Sequence, residues 1–356
     1  MAVDDEFPFP VVSFQPILTG GEEEKAKVAL QLYDAFHTYG WVYLKEFGIS
    51  AEEIDEMFGY SKRFFDRPEE EKLKDKVVSA AYCQGYTANG AESSDTKGGR
   101  SHKECYEHRR FNNDLCPAAG GEDGFREFAD SFYQKCFTLA TEVLRALCIV
   151  LGIAPTYWDD KLAAADPQLR FLRYMSIPKT TLEKEGNYRI EPHTDYGLCT
   201  LLFQDEVGGL EVDRFHDGKF APATPLRGTC IINVADLLQR LSNDKLRSTR
   251  HRVMMPLMEP RADGMLPARY STAFFVHPDP ATMIVPIVKE GETTPYEPVN
   301  AGEWRTMITS RDYGYALPDS KDMDVKIVAA SKGEDYMNVR LEAKSGAVSK
   351  TAEVAT

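Results

Sequence analysis

The chain has 356 residues, of which 43% are hydrophobic, so it can build a large core and is not a largely disordered chain. Its formal net charge of -14 repels phosphate backbones, which argues against nucleic acid as a partner, and it gives no support for binding to an anionic membrane surface. No stretch approaches the roughly 18 uninterrupted apolar residues that a membrane span needs.

Cysteine usage indicates a reducing compartment. Seven cysteines are scattered along the chain without a C-x-x-C pair, as expected for unpaired thiols of an intracellular protein. The first ten residues are acidic and lack the basic segment and apolar run of a secretory signal. We therefore expect a cytoplasmic protein, and nothing in the sequence indicates a protein partner.

Residues 1–120 predict a helical and irregular entry region. An apolar segment at 11–18 is typical of an edge strand. Residues 22–39 place apolar side chains on one helical face, and Gly40 would end that helix. A short strand is predicted directly afterwards, at 41–44.

A second helix is predicted to begin after Ser50, because Ser50 and Glu53 form a capping-box pattern. The region 74–121 lacks periodicity and is rich in Gly, Ser and Asn. It fits either a loop that covers a substrate or a long irregular connection.

Residues 121–316 predict one long helix followed by many short strands. Apolar positions from Gly124 to Leu151 recur every three or four residues, and this stripe is more typical of core packing than of a cofactor site. After Pro167, short β-branched and aromatic runs alternate with turn residues, which favours a sandwich or barrel. The predicted strands are 168–175, 196–204, 209–212, 229–234, 251–255 and 270–276. A closing helix is predicted from Trp304, and 317–356 form a polar C-terminal tail.

The segment Glu-Pro-His-Thr-Asp-Tyr-Gly (191–197) carries the most specific chemistry. In a strand, His193 and Asp195 would point to the same face and could bind one divalent metal ion. His251, in another predicted strand, is the best candidate for a third ligand. Two histidines and one carboxylate form the facial triad of non-haem iron(II) oxygenases, which leaves three coordination positions open. Taken alone, an H-x-D pair is more typical of an ion pair at the surface.

A second pair strengthens the metal hypothesis. Arg269 and Ser271 would share one strand face, where a guanidinium and a hydroxyl can hold the distal carboxylate of a metal-bound dicarboxylate. A structural ion pair remains the alternative interpretation of Arg269.

Together these motifs, with Ile-Asn-Val (232–234) and Gly-Gly-Leu-Glu-Val (208–212) between them, resemble the isopenicillin N synthase-like superfamily of iron(II)/2-oxoglutarate-dependent dioxygenases. The likeness extends over about 8–316, and it is greatest to fungal, thymine-hydroxylase-like members. It implies an α+β, mainly β fold: a double-stranded β-helix (a cupin-like jelly roll) with an N-terminal helical region and a long supporting helix. It divides the chain into an entry region (1–120), a catalytic domain (121–316) and a tail (317–356).

The resemblance also implies roles for individual residues. His193, Asp195 and His251 match the Fe²⁺ ligands, and Arg269 and Ser271 match the 2-oxoglutarate anchor, with O₂ as the other co-substrate. Tyr174 matches a tyrosine that binds the same co-substrate, although Met175 follows it where the family usually has proline.

Three further positions match residues that line the substrate pocket in the family: Tyr86, Arg170 and Phe275. Core packing or a surface ion pair is an equally good interpretation of each. The remaining histidines lack ligand spacing and are expected at the surface or in turns: His37, His102, His108, His216 and His277.

The implied activity is the oxidation of a small organic molecule, with succinate and CO₂ as products of 2-oxoglutarate. The oxidation is a hydroxylation, a desaturation or a ring rearrangement, and fungal specialised metabolism is the expected setting. Two alternatives stay open: an iron oxidase that needs no 2-oxoglutarate, as isopenicillin N synthase is, and a non-catalytic small-molecule receptor on the same fold.

Overall fold

The structure, a computed structural model, describes residues 9–77, 84–91, 102–111, 113, 116, 119, 123–183, 188–256, 258–312, 325–329 and 340–343, with side chains described up to residue 308. The helices of these residues are α1 (Gln15–Thr19), α2 (Glu22–Thr38), α3 (Ala51–Phe65), α4 (Glu69–Lys72), α5 (Phe125–Leu151), α6 (Asp159–Ala163), α7 (Lys179–Glu183), α8 (Asp236–Leu241) and α9 (Ala301–Asp312). The strands are β1 (Val11–Ser13), β2 (Trp41–Lys45), β3 (Gly85–Thr87), β4 (Lys103–His108), β5 (Gln168–Tyr174), β6 (Ile190–His193), β7 (Cys199–Gln204), β8 (Leu210–Asp213), β9 (Phe220–Pro222), β10 (Cys230–Val234), β11 (His251–Val253), β12 (Arg269–Val276), β13 (Met283–Ile284), β14 (Val299–Asn300), β15 (Val325–Ala329) and β16 (Arg340–Ala343).

The predicted helices begin and end where their local chemistry indicates. Ser50 caps α3 by accepting a hydrogen bond from the backbone N–H of Glu53, whose side chain accepts one from the N–H of Ser50 in return. Gly40 follows α2 with a positive φ of 72°, the conformation that glycine adopts most readily after a helix. Helix α5 ends at Leu151 as predicted and begins one residue after Gly124, and its apolar stripe packs in the core.

Two facing sheets form the double-stranded β-helix. The major sheet has the order β1-β2-β10-β7-β12-β5-β4-β3, and the minor sheet has the order β6-β11-β8-β9. All described neighbours pair antiparallel except β1 with β2. The fold is therefore a jelly roll with helices outside it, as the sequence predicts.

The major sheet has two chemically different faces. Thr272 of β12 donates a hydrogen bond to Met57 Sδ of α3, so one face is covered by helices, and we call it the helix face. Because side chains alternate along a strand, Arg269, Ser271 and Phe275 lie on the opposite face, which we call the pocket face. The pocket face looks toward the minor sheet: Trp41 of β2 packs edge-on against His251 of β11, with ring centroids 5.1 Å apart.

Several boundaries differ from the sequence prediction. The apolar segment 11–18 is split, since β1 is only three residues long and α1 starts at Gln15. The region predicted as irregular supplies β3 and β4, which extend the major sheet by pairing onto β5. The major sheet therefore contains strands from both sides of the predicted boundary at residue 120. Within the tail, β15 and β16 pair with each other.

Among the described residues, none of the helices combines the length and the apolar character that a membrane crossing would need.

Candidate active site

Three residues form a cluster that could hold a metal ion: His193, Asp195 and His251. Each offers one ligand atom, and these atoms lie within 4.8 Å of one another. Asp195 Oδ1 is 3.7 Å from His251 Nε2 and 3.9 Å from His193 Nε2. The two histidines meet because β6 and β11 pair in a register that places them opposite each other.

Asp195 reaches the cluster by a different route from the predicted one. Strand β6 ends at His193, so Asp195 lies in the following turn and does not share a strand face with that histidine. The turn is fixed to the start of α8, where the backbone N–H of Asp236 donates to the carbonyl of Asp195 over 2.8 Å. The prediction that the strand period aligns the pair was wrong, although the two side chains do converge.

Two hydrogen bonds set the orientation of the Asp195 carboxylate. Thr200 Oγ1 donates to Oδ2 over 2.6 Å, and Asn233 Nδ2 donates to the same oxygen over 2.8 Å. Oδ2 is thereby occupied, and Oδ1 is left facing the imidazoles. Such outer contacts commonly orient the ligands of a metal site.

Both imidazoles present Nε2 to the cluster. His193 Nδ1 lies 2.7 Å from the carbonyl of Glu191, and His251 Nδ1 lies 3.2 Å from the carbonyl of Thr249. A carbonyl oxygen can only accept, so each Nδ1 is the donor, and in a neutral ring the lone pair is then on Nε2. This tautomer is the one that ligates a metal through Nε2.

The charges of the cluster also suit a divalent cation. Although its side chain is partly exposed, His193 loses hydration within the cluster, which lowers its pKa to about 4, and the nearby His251 acts in the same direction. Burial alone would raise the pKa of Asp195, but both histidines and the hydrogen bonds from Thr200 and Asn233 outweigh it and lower that pKa. At neutral pH the cluster therefore combines neutral imidazole with a carboxylate. The His193 side chain stays 36% exposed, against 7% for Asp195, so the cluster is open beside His193.

A buried arginine lies on the same pocket face. Arg269 is 1% exposed; its Nη1 donates to Ser271 Oγ over 3.2 Å and its Nη2 to Gln204 Oε1 over 3.3 Å. Its guanidinium carbon is 4.8 Å from the centre of the Tyr174 ring, because β12 and β5 pair with these two residues opposite each other. The structure thus brings the predicted Arg269, Ser271 and Tyr174 together.

Arg269 forms no ion pair with a carboxylate of the described residues, and its Nε is buried without a hydrogen-bond partner among them. A buried guanidinium without a close ion-pair partner is costly, and a ligand carboxylate would reduce that cost. The structural ion pair considered for Arg269 is therefore not found in the described part of the chain.

The backbone after Tyr174 continues the strand pairing for one more residue. The N–H of Met175 donates to the carbonyl of His102 over 2.8 Å. His102 directly precedes Lys103, the first residue of β4. Proline has no N–H and could not form this bond. The departure from the family pattern thus coincides with one further hydrogen bond between these two segments.

Of the three positions expected to line a substrate pocket, two lie on the pocket face. Arg170 and Phe275 share it with Arg269, and the Arg170 guanidinium forms an ion pair with Glu107 of the neighbouring strand. Tyr86 instead lies on the helix face, where its ring packs edge-on against Phe64 of α3. We therefore leave Tyr86 out of the pocket.

Two of the remaining histidines are not at the surface. His108 is fully buried on the helix face and bonds Asp130 over 2.8 Å through Nε2, and His277 is 7% exposed beside Tyr196. The expectation of surface or turn positions was wrong for these two. Each follows or ends a buried strand, and the neighbouring residues gave no signal of burial: Glu107 and Arg109 flank His108, and Pro278 follows His277.

Sequence reasoning also missed the residues that support the cluster. Thr200, Gln204 and Asn233 all lie on the pocket face, as their register with β12 and β10 requires. The available signal was single polar residues that interrupt otherwise apolar strands: Thr200 and Gln204 in β7 and Asn233 in β10.

Comparisons with known proteins agree with this geometry. Residues 167–278 match the model of the 2OG-Fe(II) oxygenase superfamily, and residues 9–124 match the N-terminal model of non-haem dioxygenases in morphine synthesis. The 2-oxoglutarate-Fe(II) type oxidoreductase ppzD of Metarhizium rileyi is 34% identical, covering 80% of this chain and 85% of its own length. The 2-oxoglutarate-dependent dioxygenase ecdK of Aspergillus rugulosus is 30% identical, covering 85% and 98%.

This chain belongs to the 2OG-Fe(II) oxygenase superfamily. The full-length thymine-7-hydroxylase of Neurospora crassa in complex with alpha-KG is similar in structure, with a TM-score of 0.78, 33% identity and coverage of 87% of this chain and 98% of that chain. The protein described by this chain is an iron(II)/2-oxoglutarate-dependent dioxygenase. Its cofactor is Fe²⁺, and its co-substrates are 2-oxoglutarate and O₂.

Proposed function

We propose that this dioxygenase oxidises a small organic molecule at an iron(II) held by His193, Asp195 and His251. In this proposal 2-oxoglutarate is anchored by Arg269, Ser271 and Tyr174, and succinate and CO₂ are released. The observation that carries it is that the triad meets the pocket face on which Arg269 lies. Asp195 of the half-open triad accepts hydrogen bonds from Thr200 and Asn233, which lie on the same face of the major sheet as Arg269, a buried arginine without an ion-pair partner among the described residues.

The donor set of the triad fits ferrous iron. Two neutral imidazoles and one carboxylate on one side of an ion suit Fe²⁺ and leave the other side for further ligands. When bound there, iron would supply the activation of oxygen, coupled to the oxidative decarboxylation of the 2-oxo acid.

The residues of the chain supply position and charge. Thr200 and Asn233 hold the carboxylate of Asp195 with one oxygen toward the ion. Arg269 and Ser271 offer a guanidinium and a hydroxyl to the distal carboxylate of 2-oxoglutarate, which fixes the orientation of its reactive end. Trp41 packs against His251 and limits the movement of that ring.

We propose that Arg170 and Phe275 contact the substrate. Phe275 offers an aromatic surface, and the Arg170–Glu107 pair offers a donor and an acceptor side by side on β5 and β4. A flat or cyclic molecule with polar groups on one edge suits this combination. The Neurospora thymine-7-hydroxylase has also been crystallised with alpha-KG and thymine, and that structure has a TM-score of 0.78 and 30% identity to this chain.

The proposed reaction is a hydroxylation, with desaturation or ring rearrangement as the other outcomes that the same centre supports. The relatives ppzD and ecdK are fungal oxidoreductases, which supports a setting in fungal specialised metabolism. The six described cysteines are all unpaired thiols, which supports a reducing compartment such as the cytoplasm.

The experiment loads the full chain with iron(II) and 2-oxoglutarate without oxygen and records the metal-to-ligand charge-transfer band. Oxygen is then admitted, and succinate is measured with a panel of candidate substrates that includes thymine. We expect the band in the wild-type protein, its loss in Asp195→Ala, and a weakened band in Arg269→Met. Arg170→Met should keep the band and lose substrate-stimulated succinate release.

Each alternative gives a different result. An iron oxidase that needs no 2-oxoglutarate would show neither the band nor succinate, yet it would consume oxygen with its substrate. A receptor would bind the small molecule without consuming oxygen. Either result would overturn the proposal.

A further inference from the structure

A second buried arginine lies behind the co-substrate anchor. Arg189 precedes β6 and is 3% exposed. Its Nη2 donates to the carbonyls of Pro267, over 3.0 Å, and Met175, over 3.4 Å. Its Nε and Nη1 are buried and find no acceptor among the described residues. More than half of the donors of this guanidinium are therefore left for something other than the described protein atoms.

Arg189 and Arg269 flank the same tyrosine. The guanidinium carbon of Arg189 is 6.0 Å from the centre of the Tyr174 ring, and that of Arg269 is 4.8 Å from it. Burial lowers the pKa of Arg189 to about 10, and the neighbouring charge of Arg269 acts in the same direction. Two cations thus share a space from which water is largely excluded, an arrangement that is unfavourable without an anion.

Among the described residues, the carboxylate whose charge acts on both arginines is Asp205, which follows β7. Its oxygens accept hydrogen bonds from the backbone N–H groups of Tyr270, over 2.6 Å, and Val207, over 3.2 Å, so they are committed to the backbone. Burial raises the pKa of Asp205 to about 6, although Arg269 opposes that change. Among the described residues, two guanidinium charges therefore face one carboxylate, and this end of the pocket keeps a surplus positive charge.

We propose that Arg189 is a specificity-determining residue for the co-substrate, whose positive charge selects 2-oxo acids that carry a second, distal carboxylate. This inference rests on the proposed function, because it places the distal carboxylate beside Arg269. A distal carboxylate would neutralise the surplus charge between the two arginines, whereas a 2-oxo acid with an uncharged end would leave it. Selection would follow from this difference.

A purely structural role is the competing explanation. Arg189 ties the start of β6 to the segments next to β5 and β12, so its removal could loosen the pocket for any ligand. The ratio of the affinities for a 2-oxo acid with and without a distal carboxylate distinguishes the two roles. A loosened pocket weakens the binding of all 2-oxo acids alike, whereas a lost charge weakens only that of the dicarboxylate.

The experiment measures the dissociation constants of 2-oxoglutarate and of 2-oxopentanoate, which has the same carbon chain without the distal carboxylate. The full chain is loaded with Mn²⁺ and titrated by calorimetry, so no turnover is needed. Arg189→Gln keeps a donor but loses the charge, and Arg189→Lys keeps the charge. We expect the preference for 2-oxoglutarate to fall by about tenfold in Arg189→Gln and to change by less than about threefold in Arg189→Lys.

An unchanged ratio in Arg189→Gln, with weaker binding of both acids or a lower melting temperature, would overturn the inference and leave Arg189 as a structural tie. Arg269→Met distinguishes this failure from a failure of the proposed function. If the preference falls in Arg269→Met but not in Arg189→Gln, only the inference on Arg189 fails. If it falls in neither variant, the proposed anchor fails as well. Should Arg189→Gln not fold, Arg189→Met gives the same comparison.

Discussion

The hydroxyl of Thr200 lies 2.6 Å from Oδ2 of Asp195, the oxygen that does not face the two imidazoles. Thr200 belongs to β7 of the major sheet, whereas the imidazoles belong to the minor sheet, so this bond connects the metal cluster to the opposite wall of the jelly roll. A residue of the major sheet therefore orients the carboxylate of Asp195, a candidate metal ligand that lies outside that sheet.

Thr200→Val should weaken metal binding while leaving the fold intact. Valine has nearly the shape of threonine but cannot donate, so the Asp195 carboxylate keeps only the bond from Asn233 and gains freedom to rotate. We expect a loss of Mn²⁺ affinity of roughly 10- to 100-fold, the usual effect of removing such an outer contact, measured by calorimetry. Thr200→Ser keeps the hydroxyl and is the matched control. Equal affinities in the two variants would show that this bond does not orient the ligand.

Gly40→Ala should be far more destabilising than Gly152→Ala. Both glycines have a φ of 72°, so both substitutions carry the same backbone strain, about 1–2 kcal/mol. A Cβ at Gly152 would meet nothing within 4 Å, but at Gly40 it would lie 2.2 Å from the carbonyl of Arg247 and 2.4 Å from Thr249 Oγ1. Chemical denaturation should therefore show that the free energy of unfolding falls by several kcal/mol in Gly40→Ala and by much less in Gly152→Ala. Similar losses in the two variants would contradict the close approach.

The same substitution should also weaken metal binding, because Arg247 and Thr249 lead into His251. Thr249 donates to the carbonyl of Tyr39 over 2.8 Å, which fixes the entry to β11 against the end of α2. A displaced entry would move the third ligand. Gly152→Ala should keep the wild-type affinity for Mn²⁺.

Glu104→Gln should destabilise the protein without changing the binding of 2-oxoglutarate. Glu104 Oε2 lies 2.7 Å from Lys72 Nζ, and the two side chains are 3% and 7% exposed; Tyr86 donates to the same oxygen. Neutralising the carboxylate leaves the ammonium buried without a counter-charge, which costs about 3–5 kcal/mol. The double variant Lys72→Met/Glu104→Gln removes both charges and should recover part of the loss. A Glu104→Gln protein as stable as wild type would argue against this buried pair.

His277→Gln should make the stability of the protein less sensitive to acid. Burial lowers the pKa of His277 to about 3, with Arg305 and Arg109 acting in the same direction. In the unfolded chain the pKa is near 6.5, so below that pH the unfolded state takes up a proton that the folded state does not. Stability is therefore lost as the pH falls below about 6.5, and this one group accounts for up to about 2 kcal/mol between pH 7 and pH 5.

The measurement is the free energy of unfolding at several pH values from 7 to 5. The wild-type curve should fall more steeply than that of His277→Gln, while His37→Gln, which removes an exposed imidazole, serves as the control. Parallel curves for wild type and His277→Gln would mean that His277 is protonated alike in both states.

The ligand types and several local structures were predictable from the sequence because they depend on near neighbours along the chain. The capping box of Ser50 and Glu53, the stripe of α5 and the shared face of Arg269 and Ser271 each follow from the period of one element. The family follows from the order of such motifs.

The tertiary structure decided which distant residues meet and on which face. Asp195 reaches its histidines through a turn fixed to α8, and Tyr86 lies on the helix face because β3 pairs onto β4 with Tyr86 opposite Tyr106. Arg189 has no motif, and only the folded chain places it beside Tyr174. The physical reason is that periodicity fixes the direction of a side chain within its own element, whereas register and turns, which depend on contacts between distant segments, fix what it faces.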